Sequence, residues 1–245
     1  MQQVFVNSNQ VDNNIIEITG QDAKHLSRVV RIREGERIRA TVDGKSFFAD
    51  VTEVLKDVVR AEIKEEAHDT EASTKIYLFQ GLPKGSKLET IIEKTVELGV
   101  FEIIPVEMKN CVVKWEDKKK EAKVRRYQAV AESAAKQSKR SLIPHVHDVM
   151  TYDEALRYAR EVSDVMLLPY ENEEGMKATK NALSKIDANT SVSIFIGPEG
   201  GFSPDEIEKS SDCEIISLGK RILRTETAAI VSVAMIMLLN EFSEV

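Results

Sequence analysis

The sequence predicts a two-part chain: a small β-rich domain over residues 1–70 and a larger α/β domain over 75–245. Three observations lead there. Before residue 70, short runs alternate apolar and polar residues between turn signals, the pattern of strands with one buried face. After residue 75 the short apolar runs are nearly continuous and are separated by helix-length stretches, the pattern of a parallel sheet covered on both sides. Between them, residues 65–74 (EEAHDTEAST) are polar and aperiodic and read as a linker.

In the first domain, strands are expected at 4–6, 15–18, 37–42, 47–54 and 58–63. Asn13-Asn14, Gly35, Asp43-Gly44 and Lys56-Asp57 separate them. Asp43-Gly44 is a hairpin signal, because both central residues of a tight primed turn need positive φ. A single helix over 22–30 interrupts the strands, and the set suits a small barrel. In the second domain, strands are expected at 76–80, 101–106, 164–168, 192–196 and 214–218. Helices are expected at 87–98, 117–139, 152–161, 176–186, 204–210 and 226–242.

Composition narrows the class. A hydrophobic share of 42% with 31% charged residues is that of a globular chain. The start, MQQVFVNSNQ, lacks the basic stretch and apolar core of a secretory signal. The longest apolar run, 228–239, is shorter than the roughly 20 residues that cross a bilayer, so it reads as a buried helix. Two isolated cysteines, Cys111 and Cys213, make no disulfide framework. Four scattered histidines complete no metal-ligand set. The expectation is a cytoplasmic, metal-free protein.

The net charge of −7 argues against a generic polyanion binder, but its distribution is uneven. Residues 24–39 hold six basic and two acidic residues, and 109–140 hold eleven and four. Residues 151–216 reverse this, with six basic and fourteen acidic. A local phosphate-binding face is therefore compatible with an acidic protein; a solvated helix face over 117–139 would give the same pattern.

Glycines then point to a ligand site. GLPKGSK (81–87) fails the phosphate-loop spacing, since three residues rather than four separate its glycines, and a strand-to-helix turn explains it. No GxGxxG follows a strand, which weakens a Rossmann reading. IFIGPEGGFS (194–203) instead runs a buried strand into a loop with three glycines and a proline. Ser203, Pro204 and Glu206 follow as N-cap, first helical residue and capping-box partner. Such a strand exit lets backbone approach a ligand at the carboxyl edge of the sheet.

The next strand exits into Gly219–Thr227 (GKRILRTET), where Leu218, Ile222 and Leu223 offer apolar walls. Arg224, Thr225, Glu226 and Thr227 place a cation, two hydroxyls and a carboxylate at the mouth of an apolar helix. Either threonine serves equally well as a plain N-cap, with Glu226 favourable in the first turn. A third exit, Leu167-Leu168-Pro169-Tyr170-Glu171, gives three loops for one site.

Taken together, these residues resemble the RsmE family, which methylates uridine N3 in small-subunit ribosomal RNA, within the SPOUT superfamily. The matching stretches are QGLPKGSKLETIIEKTVELGV (80–100), AESAAKQSKR (131–140), LLPYE (167–171), IGPEGGFS (196–203) and LGKRILRTETA (218–228), with HLSRVVRIREGE (25–36) in the first domain. One departure stands out. Asn110-Cys111 occupies the place where the family carries Arg-Ser, which puts in question an RNA or phosphate contact there.

The resemblance implies an N-terminal PUA-like β-barrel and a C-terminal α/β domain tied in a trefoil knot, a topology that physical reasoning alone would not suggest. It implies S-adenosylmethionine as cofactor, a homodimer, and small-subunit ribosomal RNA or the 30S particle as partner. The expected cofactor residues are Leu168, Pro169, Ile196, Gly197, Pro198, Gly200, Gly201, Leu218, Gly219, Ile222, Leu223 and Thr225. Arg224 is expected to stabilise charge on a uracil carbonyl oxygen, and Glu199 or Glu226 to accept the N3 proton. The alternative is that both carboxylates only shape the loops. RNA contacts are expected from His25, Arg28 and Arg31, and from Lys136, Lys139 and Arg140. Two other functions fit the same motifs: a related knotted RNA methyltransferase with a different target atom, and an RNA-binding assembly factor without catalysis. Failure to bind the cofactor would mark the latter.

Overall fold

The structure, a computed structural model, describes residues 1–173 and 175–243. The chain forms two compact units: Met1–Glu71 with Ala135–Ile143, and Ala72–Ala134 with the described part of Pro144–Val245.

The first unit is a six-stranded sheet of β1 (Gln3–Val6), β2 (Val11–Asp12), β3 (Ile15–Ile18), β4 (Arg37–Val42), β5 (Lys45–Val54) and β6 (Val59–Glu66). Their order is β1-β4-β5-β6-β3-β2, antiparallel throughout except β1 against β4. Asp43 and Gly44 both have positive φ, +47° and +82°, so β4 and β5 join through the tight primed turn that the sequence predicts. Two register shifts bend β5, between Phe48 and Ala49 and between Val51 and Glu53. Alternate residues, among them Val4, Ile16, Ile18, Ile38, Ala40, Val51 and Val59, fill one core with Leu26.

The helix expected over 22–30 is two pieces. A short α1 (Gly20–Lys24) passes into a wider π-type coil at His25–Val30. Arg31, in the left-handed region at φ +58°, ends it, and the Ile32 amide returns to the Leu26 carbonyl at 3.0 Å. The expected linker is also different. Residues through Glu66 continue β6, and the Ala67 amide reaches the Ser46 carbonyl at 2.8 Å. The Glu71 carboxylate accepts hydrogen bonds from Arg140 and from the Ser141 amide (2.7 Å). Asp69 and Glu71 in this polar stretch are acceptors for the segment 135–143, which belongs to the same unit.

The second unit is an all-parallel sheet. Its strands are β7 (Ile76–Gly81), β8 (Glu102–Glu107), β9 (His145–Val146), β10 (Met150–Thr151), β11 (Val165–Pro169), β12 (Val192–Ile196) and β13 (Glu214–Ile216). The order is β10-β8-β7-β12-β11-β13, with β9 also on β8. β7 and β12 are buried at every position, as their unbroken apolar runs predict, and Phe79 stacks on Phe195 at 4.5 Å. The helices are α2 (Lys87–Glu97), α3 (Asp117–Ser138), α4 (Tyr152–Val162), α5 (Lys177–Leu183), α6 (Pro204–Lys209) and α7 (Thr225–Ser243). Four of these six, α2, α3, α4 and α6, begin on the residue the sequence predicts, and α5 and α7 begin within one residue of it.

After β13 at the sheet edge, the chain returns to the middle, where α7 packs on α2, β7 and β12. Ala229, Val233 and Ile236 face that core, while Val231, Leu238 and Phe242 remain exposed on the opposite side. Helix α7 is long and apolar enough to span a bilayer; its buried face is instead packed on the strands and α2.

Candidate functional site

The exits of β11, β12 and β13 converge. Together with the start of α7 they enclose a cavity of about 460 Å3, inside the usual range for a small-molecule site. Its wall includes Pro169, Tyr170 and Glu171 from the first loop, Ile196–Pro198 with Glu199, Gly201 and Phe202 from the second, and 217–225 with Ala228 from the third. One hydroxyl binds these segments together. Thr225 Oγ1, buried, donates to the Gly197 carbonyl at 2.7 Å and accepts from Gln80 Nε2 at 3.0 Å. The threonine therefore joins the end of β7, the glycine loop and the first turn of α7; it is not the N-cap that its position also suits.

The glycine loop is held from outside the cavity. Asn110 Nδ2 donates to the carbonyls of Gly200 (3.0 Å) and Gly201 (3.2 Å), and a Cβ on Gly200 would come within 2.9 Å of Asn110 Cβ. Gly201 has φ +65°, so the turn itself needs glycine there. Downstream, Ser203 and Glu206 form the reciprocal capping box the sequence predicts, with Pro204 first in α6. Glu206 is buried because its second oxygen also accepts the Lys109 amide at 2.8 Å. Asn110 thus braces the loop. Cys111 beside it is buried, its thiol pushed up by burial, with its sulfur taking the Met108 amide at 3.3 Å.

The charged groups form a compact set. Lys87, the first residue of α2, reaches into the cavity wall, and its Nζ lies 2.8 Å from Glu199 Oε1 and 3.5 Å from Glu226 Oε2. The Lys84 amide donates to the same Glu199 oxygen at 3.1 Å. The hydrogen bond to Glu199 raises the Lys87 ammonium above its ordinary range, so it stays charged at neutral pH. Burial pushes the Glu199 carboxyl up, but the Lys87 hydrogen bond and main-chain donors outweigh it, and the group lies below the usual carboxylate range. Glu226 Oε2 is shielded from solvent and has no hydrogen-bond partner. Arg224 is exposed on the same wall, and its guanidinium pairs with no described residue.

Of the expected cofactor residues, Pro169, Ile196, Gly197, Pro198, Gly201, Leu218, Gly219, Ile222, Leu223 and Thr225 line the cavity, with Arg224 and Glu199. Leu168 lies fully buried in β11, and Gly200 faces Asn110; neither is on the wall. Glu226 stands behind Lys87. The wall also takes in Lys87, Tyr170, Glu171, Phe202, Ser217, Lys220, Arg221 and Ala228. All but Lys87 adjoin the three loops, so loop membership was the available signal; Lys87 carried none.

The six basic residues expected to meet RNA divide sharply. His25, Arg28 and Arg31 are exposed, and Arg28 has only a surface ion pair with Asp57 at 3.1 Å, a weak tie. The other three are engaged within the first unit. Lys136 pairs with Asp22 at 2.7 Å, and Lys139 Nζ donates to the Met1 carbonyl at 2.9 Å. Arg140 is 4% exposed and its guanidinium is bound to Glu71. A buried, carboxylate-bound guanidinium does not reach a phosphate, so the segment 135–143 has a structural task here.

Family models match along the chain: an RNA methyltransferase domain over residues 70–237 and an RNA methyltransferase PUA domain over 18–64. The ribosomal RNA small subunit methyltransferase E of Bacillus subtilis (strain 168) is 35% identical over 226 residues, spanning 89% of this chain and 88% of that protein. A crystal structure of a ribosomal RNA small subunit methyltransferase E from Neisseria gonorrhoeae bound to S-adenosylmethionine superposes with a TM-score of 0.83 at 29% identity, over 98% of each chain. A putative methyltransferase from Legionella pneumophila, also in complex with S-adenosylmethionine, gives 0.83 at 28% identity over 96% of each. With its glycine loop, its three strand exits and these relatives, the chain belongs to the ribosomal RNA small subunit methyltransferase E family.

Proposed function

We propose that the chain transfers a methyl group from S-adenosylmethionine to N3 of a specific uridine in small-subunit ribosomal RNA, acting in the cytoplasm as a homodimer on the 30S particle. The observation that carries this is the cavity at the ends of β11, β12 and β13, with a free guanidinium and two carboxylates around it. The residues suit the cofactor. The cavity is large enough; Pro169, Ile196, Leu218 and Leu223 give apolar walls for a nucleoside, and Glu171 and Glu199 put negative charge near a cationic sulfur. Asn110 keeps the glycine loop in place for it.

Bound there, the cofactor supplies an electrophilic methyl carbon and a neutral thioether leaving group. The chain's own contribution is placement, which is worth on the order of 7–11 kcal/mol in well-oriented reactions. It must also manage one proton, because N3 of uracil carries a hydrogen. Arg224, unpaired on the wall, is available to a uracil carbonyl oxygen as negative charge develops. A carboxylate of the Glu199–Glu226 set takes the proton. The target base leaves its stack to reach the site.

The same reading covers the architecture. The first domain, 1–70, is a PUA-like barrel that meets RNA through His25, Arg28 and Arg31. The second, 75–245, is a trefoil knot; its support is the return of the chain from the edge strand β13 to the middle of the sheet, with Thr225 between Gln80 and Gly197. The exposed stripe of Val231, Leu238 and Phe242 on α7 supplies a dimer face.

The test is methylation of unmodified small subunits followed by reverse transcription. Methylation at N3 blocks the pairing edge, so the polymerase should stop at one uridine. Cofactor binding without any stop rejects the reading, and a stop-free ribose or ring methylation found by mass spectrometry reassigns the target atom. For Asn110→Ala, loss of two hydrogen bonds to loop carbonyls, each worth about 0.5–1.5 kcal/mol, should raise the S-adenosylmethionine Kd roughly tenfold by titration calorimetry with kcat little changed. An unchanged Kd removes Asn110 from the loop's support.

A further inference from the structure

Two carboxylates stand at the proposed proton-transfer site, and the structure treats them differently. Glu199 Oε1 already accepts two donors, the Lys84 amide and Lys87 Nζ. Glu226 Oε2 is out of the solvent and has only the Lys87 ammonium near it, 3.5 Å away at the outer limit of a hydrogen bond. A carboxylate oxygen loaded with donors is a poor base, since a proton must displace those bonds. An oxygen that carries no such bonds keeps a lone pair to offer. Resting on the proposed uridine-N3 reaction, we propose that Lys87 is the positioning residue of the proton transfer: it occupies Glu199 and holds Glu226 as the carboxylate that accepts the N3 proton.

In that step the N3–H bond breaks and its electron pair stays on nitrogen, which uses it to bond the incoming methyl carbon. The proton forms an O–H bond on Glu226 and neutralises it. Lys87 keeps its own protons throughout, as its hydrogen bond to Glu199 dictates. The groups facing Glu226 in this cluster are thus Lys87 and, across it, Glu199.

The lysine's removal has a signed consequence. The Lys87 hydrogen bond and charge help hold the Glu199 carboxyl below its usual range, and a cation within a few ångströms is worth about one to three pKa units, so loss of the lysine should raise Glu199 by that order. In Lys87→Met kcat should fall by more than S-adenosylmethionine affinity does, because Glu199 is no longer occupied and Glu226 no longer held, and Lys87→Arg should restore it. Glu226→Gln should lower kcat by roughly 10²–10⁴-fold at every pH, the usual worth of a general base, and Glu199→Gln by much less. An independent readout needs neither cofactor nor RNA: carbon-13 NMR titration of the glutamate carboxyls, in which Glu199 should titrate higher in Lys87→Met than in the parent. An unchanged kcat in Lys87→Met, or a larger loss in Glu199→Gln than in Glu226→Gln, overturns the assignment. If the parent chain leaves uridine N3 unmethylated, the function reading fails instead, and the NMR titration alone then decides whether Lys87 governs Glu199.

Discussion

Replacing Arg224 with Ala should lower kcat by roughly 10²–10³-fold while changing the S-adenosylmethionine Kd by less than about threefold, the signature of a charge-stabilising group at the reacting centre. The expectation follows from the company Arg224 keeps. Lys87, the other cation in this charged set, is tied to Glu199 and Glu226, whereas the Arg224 guanidinium pairs with no described side chain. A surface arginine left unpaired with Glu171 and Glu199 in the same wall is free to meet the substrate. Because the cofactor's expected contacts come from loop backbone and apolar side chains, binding should survive the loss of one exposed head group. Single-turnover kinetics with saturating cofactor, set beside calorimetric Kd values, separate the two. Equal losses in kcat and in cofactor affinity would show that Arg224 holds the cofactor and would end its assignment to the transition state.

Much of this site is legible in the sequence, for a physical reason. Parallel strands buried on both sides are unbroken apolar runs, so β12 and its glycine-rich exit stand out, and the capping box of Ser203 and Glu206 marks where the next helix starts. The Asp43-Gly44 hairpin was legible on the same local grounds. What stayed hidden depends on partners far apart in the chain. Glu71 and Arg140 are 69 positions apart, and nothing in the charge of either says that they neutralise each other in the first unit. Charge counting accordingly placed Arg140 on an RNA-binding face when it is buried. Lys87 was missed for the same reason, since Glu199 lies 112 positions away. The departure at Asn110-Cys111 was visible, but its meaning, a brace under Gly200 and Gly201, came only with the loop's geometry.

The second large effect is expected at a glycine with no special φ. Gly81 ends β7, and a Cβ there would lie 2.7 Å from both Cδ and N of Pro198 and 2.9 Å from Met108 Sδ. The methionine is flexible and can move away; the proline ring and main-chain nitrogen cannot without shifting the loop that begins at Gly197. That shift reaches the site directly, because the Gly197 carbonyl holds Thr225 Oγ1, which in turn holds Gln80 beside Gly81. Gly81→Ala should therefore cost about 1–3 kcal/mol by overpacking, seen as a Tm lower by several degrees at roughly 2–4 °C per kcal/mol for a chain of this size. Cofactor Kd should rise at least about tenfold, since the displaced residues are the cavity's own wall. Adding Pro198→Ala removes the Cδ contact but leaves the nitrogen, so the double variant should recover part of the Tm and part of the affinity. Gly81→Ala with parental Tm and Kd would mean that the end of β7 yields more easily than the loop, and that Thr225 can follow it without disturbing the cavity.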